Sequence, residues 1–227
     1  MKLNRNCLKY LVIVAMVIDH IAWAFVPYET LLGQLMHLIG RLTGPTMAFF
    51  LAEGYAHTRN VKRYALRLGV FALISWVPFS LFEMGRWPGP FGVIFTLFLG
   101  LCAILVWDRT KLPKWIKVLC IIGLCILSLG GDWPVFDVLW PLFLYRYRES
   151  RKGLAITFCI GGIVNFLISF RTPLWLNLNS LGVFLVPLLI LFCYSGEPGS
   201  RKGFHKWFFY VFYPAHLLVL YLLKLYL

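Results

Sequence analysis

Apolar residues fill the chain in runs broken, at near-regular intervals, by short clusters of charged and turn-forming residues. A helix that crosses the hydrocarbon core of a bilayer needs roughly 20 mostly apolar residues. Runs near that length fall at 8–26, 31–55, 63–82, 91–107, 115–131, 133–145, 153–170, 180–195 and 207–226. The pattern predicts an all-α fold, a polytopic transmembrane helix bundle of about nine spans, forming one domain over residues 1–227. The runs 133–145 and 180–195 are short, and short segments thin the bilayer or fail to cross it, so the range is about eight to ten.

The connectors carry the orientation. Lys2, Arg5 and Lys9 flank the first span, and Arg59, Lys62, Arg63 and Arg67 follow the second. Arg109, Lys111, Lys114 and Lys117 follow the fourth, Arg146, Arg148, Arg151 and Lys152 the sixth, and Arg201, Lys202 and Lys206 the eighth. The alternate connectors hold only Glu29, then Glu83 with Arg86, then Asp132, then Arg171. Basic residues accumulate on the cytoplasmic side, so the N-terminus is expected there.

Composition supports the same expectation. Of 227 residues, 60% are hydrophobic and 14% charged, and the mean hydropathy is +0.78. A chain this apolar needs lipid around its outer face. The net charge of +13 would suggest nucleic acid in a soluble protein; confined to short loops, it signals topology, and no nucleic acid is expected. The six cysteines lack metal-ligand spacing and read as reduced packing residues, with no metal expected. The first run contains Asp19-His20 and no small-residue cleavage site, which makes it a span rather than a signal peptide. Most of the tryptophans lie near span ends, as interfacial anchors do.

Ionisable groups inside spans are costly, and each is a functional candidate, the alternative being a group that only locks two helices together. Lys9 and His20 stand eleven positions apart, which returns to within about 20° of the same helix face over a rise of ~16 Å. A cation at the inner mouth and a deep imidazole thus share one stripe with Ile13 and Met16. Asp19 points ~100° away from His20, so its partner is expected on another helix. In the second span His37 and Arg41 lie one turn apart on one face, Gly40 and Gly44 permit close helix approach, and Pro45 is expected to kink the run. Glu53 lies near the inner end, among basic residues that can pair with it. Asp132 and Asp137 open the sixth span, and Tyr213 and His216 share a face of the last. Soluble-enzyme motifs such as G-x-S-x-G, a Walker loop or H-E-x-x-H are absent from the sequence.

The segments LKYLVIVAMVIDHIAWAF, GRLTGPTMAFFLAEGYAHTRNVKRYALRLGVFALISWVPF and FFYVFYPAHLLVLYL resemble the TraX family of bacterial membrane proteins, whose founding member acetylates the N-terminus of conjugative pilin. Asp19-His20, the run from Gly40-Arg41 to Pro45, and Glu53-Gly54 with His57-Thr58-Arg59 carry the resemblance; the middle of the chain matches mainly in hydropathy, with GGDW where the family shows an Asp before an aromatic. The family is similar in turn to transmembrane acyltransferases that use cytoplasmic acetyl-CoA to modify extracytoplasmic acceptors. Many of those carry a basic residue, ten residues and a histidine in the first span, as Lys9 and His20 do here, although arginine is the commoner cation.

The resemblance implies an acetyl-CoA-dependent acyltransferase of the bacterial cytoplasmic membrane. Lys9, Arg59, Lys62, Arg63 and Arg67 would hold the CoA phosphates. His20 would act as general base or as acetyl carrier, with Arg41 stabilising the oxyanion or holding the acceptor. Asp19, Glu53 or Asp137 would orient His20, preferably a carboxylate from another helix. His37, Asp132, Asp137, Tyr213 and His216 would contact the acceptor, which is a pilin N-terminus, a cell-surface glycan or a lipid head group. Two other classes stay open. A proton-coupled small-molecule transporter would use the same intramembrane Asp, His and Arg residues. A non-catalytic assembly factor for surface fibres would use them only to lock helices.

Overall fold

A computed structural model describes residues 2–200 and 202–227, with only the backbone of Lys206. Arg201 and the Lys206 side chain, both used above for orientation, lie outside the described residues. Ten helical elements follow one another: α1 (Arg5–Phe25), α2 (Leu31–Gly40), α3 (Thr43–His57), α4 (Val61–Met84), α5 (Val93–Arg109), α6 (Lys114–Ser128), α7 (Phe136–Arg146), α8 (Arg151–Ile168), α9 (Leu174–Cys193) and α10 (Gly203–Tyr226). Among the described residues there is no strand, only two isolated bridges. Five helices, α1, α4, α8, α9 and α10, are long and apolar enough to cross a membrane.

The apolar outer faces identify the surrounding solvent. On α4, Leu66, Val70, Leu73 and Val77 are exposed, and on α8, Ile156, Ile160, Ile163 and Leu167. Each set recurs at three- or four-residue spacing, a continuous greasy stripe that water would not tolerate. The protein is an all-helical membrane protein.

Local sequence sets the helix ends. The Asn4 side chain accepts the Cys7 amide at 3.0 Å, Thr30 accepts that of Gly33 at 3.0 Å, and Asn60 accepts that of Arg63 at 2.9 Å, each capping a helix N-terminus. Gly85 closes α4 in the left-handed conformation, at φ 66°, where a side chain would be strained.

Two expected spans differ in detail. The run 31–55 is two helices, α2 and α3, parted at Arg41-Leu42. Pro45 does not make the break; it lies in the first turn of α3, where its missing N–H is not needed. The run expected at 180–195 starts earlier, at Leu174, and is irregular: a 3-10 segment to Phe184, one α-turn, then a π-turn from Leu189.

The chain divides into two compact units, residues 1–47 with 154–227, and residues 48–153. In the first, α1 packs on α2 and α10, and α2 packs on the 3-10 part of α9. In the second, α5 is central and packs against α4, α6 and α7.

Candidate active site

In the first unit, α1 presents two adjacent polar residues to two different neighbours. His20 faces α10, where its Nδ1 lies 3.0 Å from His216 Nε2. Asp19 faces α2, where its Oδ1 lies 2.8 Å from His37 Nδ1. The ~100° between successive helix positions separates them, as expected from the sequence. Lys9 also faces α10, with its Nζ 5.1 Å from the centroid of Phe209, so Lys9 and His20 do share a face.

The bonding around His216 fixes where the hydrogens lie. Its Nδ1 is 3.0 Å from the Phe212 carbonyl, which only accepts, so Nδ1 bears the hydrogen. In the neutral ring Nε2 then carries the lone pair and accepts from His20 Nδ1. His20 is left with its own lone pair on Nε2, the atom that would act as base or nucleophile. Phe212 stacks on His216 at 5.2 Å, and the Tyr213 ring lies 6.4 Å from His20. His20 is thus in contact with an imidazole, while Asp19, one of the carboxylates expected to orient it, points to α2 as its helical position requires. His216, expected to contact the acceptor, bonds His20.

The Asp19 side is a second cluster. Arg41 Nη1 stands 4.0 Å from Asp19 Oδ2. Any Cβ on Gly40 would overlap the Asp19 side chain, so a glycine there admits the carboxylate to α2. His37 is fully buried, with the Trp23 ring 4.6 Å and the Tyr28 ring 5.4 Å away. Its Nε2 has no hydrogen-bond partner among the described residues.

A neighbouring network went unread in the sequence. The Asn179 amide of α9 donates to Gln34 Oε1 at 2.8 Å and to the Tyr28 hydroxyl at 2.7 Å. Gln34 donates to the Tyr28 carbonyl at 2.9 Å. The signal was there: Gln34 interrupts one apolar run and Asn177 with Asn179 another, and buried amides require partners.

In the second unit, Arg59, Lys62 and Arg63 are exposed around the start of α4, and Arg67 lies one turn further along, 5.5 Å over the Tyr64 ring. The positive end of a helix dipole and these cations form an anion-attracting surface. The Glu53 carbonyl takes the His57 Nδ1 hydrogen at 2.8 Å. Asp137 is fully buried at the start of α7 and accepts the Thr96 hydroxyl at 3.0 Å. Asp132 caps its own turn by accepting the Trp133 amide at 2.9 Å. Asp108, not singled out from the sequence, accepts the Tyr55 hydroxyl at 2.6 Å and the Tyr145 hydroxyl at 3.1 Å, tying α3, α5 and α7.

Residues 4–224 match the family model described as TraX protein. The chain belongs to the TraX family. It is also 32% identical, over 97% of its length and 95% of the other protein, to a probable fimbrial assembly protein, FimC of serogroup H1, from Dichelobacter nodosus. No solved structure matches it.

Proposed function

We propose that this TraX-family protein is a transmembrane acetyltransferase that moves an acetyl group from cytoplasmic acetyl-CoA to an extracytoplasmic acceptor. The single observation that carries the reading is the His20–His216 pair, an imidazole buried among helices with its lone pair directed to Nε2 by a second imidazole, in a member of a family associated with pilin acetylation. His20 Nε2 takes either the acceptor's proton or the acetyl group itself. Arg41 stabilises developing negative charge or holds the acceptor. Arg59, Lys62, Arg63 and Arg67, clustered around the start of α4, are the proposed contacts for the CoA phosphates; arginine suits phosphate because its planar fork binds two oxygens at once. Tyr213, whose ring lies 6.4 Å from His20, is proposed to contact the acceptor. The chain crosses the inner membrane about nine times, with its N-terminus in the cytoplasm, following the alternation of basic loops.

The acceptor is a pilin N-terminus or a surface glycan or lipid. The name of the D. nodosus relative favours the first of these, and it equally supports a second reading, a fimbrial assembly factor without catalysis. One experiment separates the two. Membranes carrying the wild-type protein or His20→Ala are given labelled acetyl-CoA, and label in the envelope is counted. Loss of transfer in a variant that keeps its detergent stability is expected, at about 100-fold or more. Wild-type transfer by His20→Ala removes the mechanism, and fibre assembly by a His20→Ala strain with no label in either membrane favours the assembly factor.

A further inference from the structure

His20 of α1 and His37 of α2 have different partners. His20 is backed by a neutral imidazole, His37 by a carboxylate. A carboxylate on Nδ1 orients the His37 ring with its lone pair at Nε2, the arrangement of a general base. An imidazole backed by another imidazole suits a group that must attack and then shed its own N–H hydrogen.

His37 is also buried at a cost. Its Nδ1 hydrogen goes to Asp19, so its lone pair lies at Nε2, the atom with no partner among the described residues. A buried acceptor left unmatched costs about 1–3 kcal/mol, and a catalytic role or a bound molecule that supplies the hydrogen is among the reasons such an atom persists. The Trp23 ring, 4.6 Å from the His37 ring, is itself 46% exposed, so a half-exposed side chain lies directly against the buried imidazole.

We propose, resting on the transferase reading above, that His37 Nε2 is the acceptor subsite and removes the proton of the acceptor's hydroxyl or amine, while His20 carries the acetyl group. In the first half-reaction His20 Nε2 attacks the thioester carbonyl carbon. The C–N bond forms, the C–S bond breaks, CoA leaves as thiolate, and the His20 Nδ1 hydrogen passes to His216 Nε2. In the second, the acceptor's oxygen or nitrogen attacks the acetyl carbon and its proton passes to His37 Nε2. The C–N bond to His20 breaks, and His216 returns the hydrogen to His20 Nδ1. Asp19 Oδ1, 2.8 Å from His37 Nδ1, faces the new charge on His37, and Arg41 Nη1 stands 4.0 Å from the other carboxylate oxygen.

The first half-reaction needs no acceptor, which makes the division of labour measurable. Purified wild type, His37→Gln, Asp19→Asn and His20→Gln are mixed with acetyl-CoA alone, and the CoA thiol is followed by stopped flow. Envelope vesicles are then added as the acceptor pool, and acetylated amines and esters are told apart by their hydroxylamine lability. Wild type, His37→Gln and Asp19→Asn are expected to release a burst of CoA near one equivalent per protein, and His20→Gln none. With vesicles, His37→Gln is expected to turn over at least about 100-fold more slowly than wild type. Turnover of His37→Gln at the wild-type rate, or loss of its burst alongside His20→Gln, overturns this inference alone. So does wild-type turnover without any burst. A wild type that neither releases CoA nor labels vesicles overturns the transferase reading and this inference with it.

Discussion

Asp19 and His20 are neighbours in sequence and strangers in structure. Helical geometry alone makes them diverge, and that much was legible: Asp19 was expected to find its partner on another helix, and it bonds His37. The identity of the partner of His20 was not legible, because His216 is 196 positions away and nothing in local periodicity pairs two distant helices. Gly40 is the residue on which the Asp19–His37 contact rests. Its lack of a side chain was read from the sequence only as a generic allowance for close packing, whereas the structure uses it for one carboxylate. Gly40→Ala should therefore push α1 and α2 apart at Asp19. Overpacking of this kind costs about 1–3 kcal/mol, expected as a lower unfolding midpoint in detergent with the CoA burst more nearly retained than acceptor turnover. An unchanged midpoint would mean that Asp19 is not seated on α2.

At the level of elements, apolar runs located the helices well and their irregularities badly. The length and hydropathy of 31–55 read as one span, because apolar content does not record where a backbone turns. The turn at Arg41-Leu42 sets Arg41 at the end of α2, within 4.0 Å of Asp19, where a straight helix would have carried it onward. The irregular α9 is a related case. Asn177 holds the preceding loop, accepting the Arg171 amide at 2.8 Å and donating to the Arg171 carbonyl at 2.6 Å, while Asn179 reaches across to Gln34. Both side chains lie in the 3-10 part of α9, the tighter helix often used in short connecting pieces. A Cβ on Gly182 would collide with the Leu38 carbonyl, so α2 and α9 touch backbone to backbone. Asn179→Leu should remove the side-chain donor of both Gln34 Oε1 and the Tyr28 hydroxyl, leaving Gln34 Oε1 only the Asn179 backbone amide at 3.2 Å, and destabilise the protein by about 1–3 kcal/mol for the two lost hydrogen bonds. The pair Asn179→Leu with Gln34→Leu should recover part of that loss, a non-additivity read from the unfolding midpoints of the four proteins. Additive losses would show that the amides do not act together.

For the whole molecule, the open matter is how many times the chain crosses the bilayer. Five helices satisfy length and hydropathy on their own, whereas α5, α6 and α7 have 17, 15 and 11 residues. At 1.5 Å per residue α7 covers only about 16 Å of a hydrocarbon core near 30 Å. Length alone would let α6 and α7 enter and leave by one side. Charge argues otherwise: α6 starts beside Lys111 and Lys114, and α7 ends beside Arg146 and Arg148, with only Asp132 between them. By the positive-inside rule both basic clusters are expected on the cytoplasmic side, and the turn between the helices, where Trp133 and Val135 take positive φ of 51° and 66°, would then reach the outer interface or stop within the membrane. Strain of about 1–3 kcal/mol per such residue is tolerated where a short chain must reverse in little space, here held by the Ser128 hydroxyl accepting the Val135 amide at 2.8 Å. Single cysteines placed in a cysteine-free background, at Arg86, Lys111, Asp132, Arg148 and Arg171, answer the question with a membrane-impermeant maleimide. Intact cells should label the positions at Arg86, Asp132 and Arg171 and leave those at Lys111 and Arg148 for opened cells. Labelling at Lys111 and Arg148 on opposite sides would make α6 and α7 a single crossing. Silence at Asp132 alone would turn the pair into a re-entrant hairpin, bringing the total to seven spans and keeping every basic loop inside.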